Sequence, residues 1–204
     1  MKQKKKMSDV LHKIEEAEHY KDWADVSDIL DNSTQKDIKA LIPMIPKLIN
    51  HKSYLVRASV LDIIGTFHMR NFLSLVKVCL NDKNAIVRNY ALMNYYDLLK
   101  EKALHVIGKF CNHKNVRNRV TALAIHYFEK NDDDSFLKLS KILKRKRCNP
   151  LNITGTINIF DYYYKSKPNS EIVQLYKSLL SDLPKSYWVV KQVRRMLKKW
   201  RMAH

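Results

Sequence analysis

"LNDKNAIVRNYAL", residues 80–92, is one of three copies of a single pattern. The chain reads "INHKSYLVRASVL" at 49–61 and "CNHKNVRNRVTAL" at 111–123. Arg57, Arg88 and Arg119 stand 31 residues apart. Asn50, Asn81 and Asn112 keep the same register, as do Lys52, Lys83 and Lys114, and Leu61, Leu92 and Leu123. A fixed period of this size signals a repeat architecture. Each unit is then one small element that cannot bury its apolar face alone, and stacking the units makes a continuous core.

Each period reads as two helices. The first precedes the motif, in "IKALIPMIPKLI" (38–49), "NFLSLVKVCL" (71–80) and "ALHVIGKFC" (103–111). Apolar residues recur there at three- and four-residue steps, as on one face of an α-helix. A polar turn follows, rich in Asn, Asp and Ser, residues that suit turns and helix N-caps. The second helix starts near the arginine. Two looser units follow at 135–164 and 171–200, with Pro150 in the turn of one and Pro184 near the second helix of the other. The expected organisation is a basic tail and N-terminal capping helices over 1–36, then a repeat array over 37–204. Its units fall at about 37–68, 69–100, 101–132, 133–166 and 168–204.

The turn, the "VR" pair and the small-residue helix together resemble the HEAT-repeat family. "DKNAIVRNYAL" (82–92) carries the likeness best, with an acid, Asp82, in the turn ahead of the arginine. "HKSYLVRASVL" and "HKNVRNRVTAL" depart from it at that acid, where His51 and His113 stand. The resemblance implies an all-α fold, a right-handed α-solenoid of about five helix pairs. It also implies a structural ladder of Arg57, Arg88 and Arg119 with turn acids, tying neighbouring units together. With one acid among three turns, the middle rung, Asp82 with Arg88, is expected to be the best formed. Arg57 and Arg119 are left to backbone carbonyls or to a carboxylate from outside. Such folds serve mostly as binding surfaces, and the fold alone does not name the ligand.

Composition narrows the class further. With 46% hydrophobic residues the chain can bury a core, and 3 Gly and 5 Pro disfavour a turn-rich β architecture. No apolar run approaches the ~18 residues of a membrane span, and no apolar signal core follows the basic start. Cys79, Cys111 and Cys148 lack the spacing of a disulfide framework or a metal site, and read as small hydrophobes in a reducing compartment. A cytoplasmic protein is expected. His51 and His113 sit two units apart, about 10 Å per packed helix, too far to share an ion. No metal or cofactor is expected.

Charge is the strongest functional signal. The formal net charge is +18. Residues 1–37 hold 7 Lys/Arg against 9 Asp/Glu, whereas residues 135–204 hold 16 against 3. Such a field draws an acidic partner. Candidate contacts are the run Lys144, Arg145, Lys146 and Arg147, the last-helix cations Lys191, Arg194, Arg195 and Lys198, and Arg117 beside Arg119. Tyr96 and Tyr162, on second helices, are candidate aromatic anchors or stacking platforms for bases. An acidic protein surface is the leading partner, bound by an adaptor, inhibitor or immunity-type protein. Nucleic acid is the alternative. "SYWVVKQVRR" (186–195) is similar to a helix of the alkylpurine DNA glycosylases, enzymes of HEAT-like fold that use an acid among aromatic rings; Asp161 is the candidate acid. No Gly-rich phosphate loop, GxSxG or HExxH occurs.

Overall fold

The computed structural model describes residues 9–145, 148–164, 169–183 and 188–201. Every regular element among those residues is a helix, with no strand among them. No helix among them is long and apolar enough to cross a membrane. The chain forms two compact units, Met1–Lys100 and Glu101–His204. The division falls where the third 31-residue copy begins.

The first unit opens with α1 (Asp9–His19) and α2 (Trp23–Asp31). The element expected as one helix over 38–49 is broken. It runs as α3 (Gln35–Leu41), a 3₁₀ turn at Ile42–Met44 and α4 (Ile45–Leu48). Pro43 and Pro46 explain the break: each lacks the N–H that an α-helix interior uses, and each sits in the first turn of a new segment. Then come α5 (Tyr54–Thr66), α6 (Leu73–Cys79) and α7 (Ala85–Leu99).

The second helices α5 and α7 begin three residues ahead of their arginines, after Ser53 and Asn84. The Asn84 side chain accepts from Ile86 N–H at 2.8 Å, satisfying one orphan donor of the first turn. α5 packs on both α2 and α7, and α4 also lies against it. Its burial is therefore almost all round: Val56, Ala58, Val60, Leu61, Ile63 and Ile64 are core. Two devices let α5 be shared in this way. Ser27 of α2 and Ser59 of α5 pair their hydroxyls at 2.7 Å, so two buried polar groups satisfy each other. Gly65 leaves room for the buried Asn94 side chain of α7, which donates to the Leu61 carbonyl.

The second unit repeats the plan with α8 (Leu104–Gly108), α9 (Val116–Lys130), α10 (Asp133–Leu143), α11 (Pro150–Tyr164), α12 (Ser170–Asp182) and α13 (Trp188–Arg201). α9 packs on α8, α10 and α11, and α13 packs on α11 and α12. Four buried rings run through this core: Tyr127, Phe160, Tyr176 and Trp200, with successive centroids 6.2, 6.5 and 5.8 Å apart. Their polar tips are satisfied. Tyr176 donates to Thr156 Oγ1 at 2.6 Å. Tyr127 donates to Glu171 and accepts from Asn169, both at 2.5 Å. Burial raises the Tyr176 phenol well above its ordinary range.

With so few glycines, other residues end the helices in the left-handed region. Lys21, His68, Lys100 and Asn131 have φ of 57°, 48°, 54° and 48°. Asn131 suits the role best, because Asn tolerates that region and commonly closes a helix there.

Candidate binding face

The repeated turn explains the repeated arginine. Its Nη1 donates to the carbonyl six residues back in every copy: Arg57 to His51 at 2.7 Å, Arg88 to Asp82 at 2.6 Å and Arg119 to His113 at 3.1 Å. The common role is thus to tie the second helix to its own turn. The residue at the acid position has a common role too. Asp82 Oδ1 accepts from Asn84 N–H at 2.7 Å, His51 Nδ1 from Ser53 N–H at 3.1 Å and His113 Nδ1 from Asn115 N–H at 3.0 Å. An unprotonated imidazole nitrogen therefore replaces a carboxylate oxygen at the helix start.

The ladder expectation needs correction at its one acid. The Asp82 carboxylate does not serve Arg88, which takes the Asp82 carbonyl. It reaches back to Arg57 of the preceding copy, meeting Nε and Nη2 at 2.8 Å each. The side chains are only 6% and 12% exposed, so this fork-to-fork pair is shielded from water. Burial alone would raise the Asp82 pKa, but the bonds from Arg57 and Asn84 outweigh it and hold the carboxyl below its ordinary value. Arg57, expected to depend on carbonyls or an outside acid, has the Asp82 carboxylate together with the carbonyls of His51 and Lys52. Arg119 is half-buried and has no carboxylate partner among the described residues.

His51 packs edge-on to Trp23 at 4.7 Å, and Lys52 Nζ lies 4.4 Å from the same ring's centroid. Desolvation lowers the His51 pKa; Lys52, Lys47 and Arg57 act the same way and Glu18 opposes them. The unfolded chain binds the proton near the ordinary value of 6.5, and the folded chain only at lower pH. The stability that neutral His51 contributes is full above that value and is lost as pH falls through it toward the lowered folded pKa. Urea midpoints are accordingly expected to drop between about pH 7.5 and about pH 5.5, with a smaller drop in His51→Asn, whose amide oxygen still accepts from Ser53. An equal drop in both proteins would remove His51 as the cause.

The candidate contact residues fall in different places. Tyr96 is only 1% exposed and belongs to the core of the first unit, which corrects the expectation of a partner contact there. Tyr162 on α11 is 53% exposed. Arg117 is half-buried, while Lys144 and Arg145 are exposed at the C-terminal end of α10, where cations complement the helix dipole. Lys146 and Arg147 lie outside the described residues, as does Pro184. Asp161 does not stand alone: Lys199 Nζ meets its two oxygens at 2.8 and 2.7 Å, and Trp200 Nε1 donates to it at 3.4 Å. Its carboxylate fastens α11 to α13.

α13 is the most sharply divided element. Val189, Val190, Val193, Leu197 and Trp200 are buried. Lys191, Arg194, Arg195 and Lys198 are exposed, and none has an ion-pair partner among the described residues. At 100° per residue those four fall within about 100° of arc, one continuous stripe. Trp188, 48% exposed, heads the same helix. The division follows from the sequence: valines and the tryptophan recur at helical spacing, and cations occupy the rest.

Sequence reasoning missed the bond network of Tyr127, Glu171 and Asn169. Of its members Glu171 also lines a groove of about 470 Å³, with Phe136, Ser140, Lys144, Gln174 and Leu175 among its other walls. No spacing links Tyr127 to a glutamate 44 residues on. The histidine acceptors had a signal, since they share the position of Asp82 two residues before the N-cap. Burial pushes the Cys79 and Cys111 thiols up to about 11, which favours the neutral thiol over the nucleophilic thiolate. Comparisons with protein-family models, curated proteins and solved structures found nothing that matches this chain.

Proposed function

We propose that this chain is a non-enzymatic α-solenoid of HEAT-like helix pairs that holds an acidic protein surface, as an adaptor, inhibitor or immunity-type protein would. The solenoid reading is supported inside each unit. Second helices pack in succession, α2 on α5 on α7 and α9 on α11 on α13, while first helices lie against them. The observation that carries the binding role is α13. Its apolar side is consumed by the core, so the helix is not an amphipathic element awaiting a membrane. Its four exposed cations, without ion-pair partners among the described residues, remain as the ligand-facing chemistry. Four exposed pairs at up to ~1 kcal/mol each give a useful gain over non-specific attraction.

Nucleic acid is the second reading, favoured by the exposed rings of Trp188 and Tyr162 in the unit that carries the cations. Polyanion binding releases counterions and falls steeply with salt. A titration of labelled duplex and single-stranded DNA across ionic strength separates the two. Under the protein-binding reading, neither DNA is held at ~150 mM salt. Submicromolar affinity with a steep salt slope would replace this reading with the second. For a base-excising variant of that second reading, Asp161→Asn must abolish base release from alkylated DNA. Equal release by both proteins removes Asp161 as the acid.

A further inference from the structure

α13 carries its six cations without one acid in its 14 residues, whereas residues 9–31, spanning α1 and α2, hold 8 Asp/Glu against 2 Lys/Arg. Asp25, Asp28 and Asp31 are exposed on α2, and none has an ion-pair partner among the described residues. Asp31 lies close enough to Asp62 of α5 to be felt there. Desolvation, then repulsion from Asp31, raises the Asp62 carboxyl above its ordinary value. A cation arriving from outside would favour the charged form of both carboxylates.

The two stripes match in length. Asp25 to Asp31 spans about 9 Å of helix and Lys191 to Lys198 about 10.5 Å, at 1.5 Å per residue. Asp25 and Asp28 themselves line a groove of about 330 Å³ between α1, α2 and the start of α3, together with Val10, Ile29, Asp9, Asp37 and one cation, Lys13. Trp188, exposed at the head of α13, is an aromatic side chain of the type that anchors interfaces. We propose that the basic face of α13 of one copy docks on the acidic face of α1 and α2 of a second copy. The inference rests on the reading of α13 as a face for carboxylates, and it names the chain's own N-terminal helices as one source of them. The two surfaces differ, so the contact is heterologous and generates rings or chains. An external acidic partner competes for α13 and dissolves them.

The test is sedimentation velocity on three full-length proteins: wild type, an α13 variant (Lys191→Glu, Arg194→Glu, Arg195→Glu, Lys198→Glu) and an α2 variant (Asp25→Lys, Asp28→Lys, Asp31→Lys). At about 0.1 M salt, the wild-type mean mass is expected to rise with concentration. It returns to the 24.1 kDa monomer at about 1 M, where the Debye length shrinks from about 10 to about 3 Å. Each variant alone stays monomeric, and an equimolar mixture of the two associates. Every substituted side chain is exposed, and unchanged circular dichroism checks folding. A wild type that stays monomeric at about 0.1 M overturns the proposal. So does undiminished association in either variant, or a folded mixture that fails to associate. Labelled poly-L-glutamate separates this from the functional reading. If α13 is a carboxylate face, both wild type and the α2 variant bind it and the α13 variant does not, whether or not the copies associate.

Discussion

Asp82→Ala is expected to destabilise the fold by about 3 kcal/mol, at the lower end of the range for breaking a buried ion pair. The low end applies because Arg57 keeps the carbonyls of His51 and Lys52, at 2.7 and 3.1 Å, as acceptors. The substitution also strips the Asn84 N–H of its acceptor at the head of α7. Asp82→Asn retains that bond and is expected to cost less. Urea unfolding of Asp82→Ala, Arg57→Ala and the double variant measures the coupling. The two single losses should exceed the double loss when summed, since both remove the same pair. Additive losses would mean that the pair contributes nothing. The pH dependence has a fixed sign. The Asp82 carboxyl is held below its ordinary 3.8, so its contribution is full above that value and is lost as pH falls through the lowered folded pKa. Asp82→Ala should show a correspondingly weaker acid dependence.

Gly65→Ala is expected to cost about 3 kcal/mol, a large effect for one methyl group. A Cβ at Gly65 would stand 2.0 Å from Asn94 Oδ1 and 2.8 Å from its Cγ. Asn94 is buried and its amide donates to Leu61, so moving it combines overpacking with a broken buried hydrogen bond. Gly155→Ala is the contrast. It also lies within a helix, α11, but a Cβ there meets nothing within 4 Å. Alanine is favoured over glycine in a helix by roughly 1 kcal/mol, so this variant should be more stable than wild type. Thermal or urea midpoints moving in opposite directions confirm the packing of α5 on α7. A Gly65→Ala midpoint equal to wild type would contradict it.

These two sites show which parts of the molecule were legible in the sequence. The helix pairs were legible because apolar spacing and cap residues are local signals, and the N-caps Asn84 and Asn115 stand where the turns placed them. The break at Pro43 and Pro46 was legible in principle, because each proline forbids a helical hydrogen bond. The pairing of Asp82 with Arg57 was not. In a 31-residue repeat, an acid six residues before one arginine is also 25 residues after the previous one. Only packing decides between them, and it placed the carboxylate across the gap and the carbonyl within the turn. Asn94 against Gly65 escaped for the same reason: nothing local announces a contact between two second helices. On the candidate face, the exposed stripe of α13 followed directly from its valine and tryptophan spacing. Tyr96 did not follow. A tyrosine beside an acid reads alike whether its ring fills the core or faces a partner.

The proposed function is tested most directly by retention of a partner. Tagged wild type and the α13 variant (Lys191→Glu, Arg194→Glu, Arg195→Glu, Lys198→Glu) are recovered from native host cells at ~150 mM salt after nuclease treatment. One acidic protein is expected to be held stoichiometrically by wild type and about 100-fold more weakly by the variant, the sum of four exposed ion pairs. Recovery of nucleic acid in its place, or equal retention of the same protein by both, would contradict the proposed function.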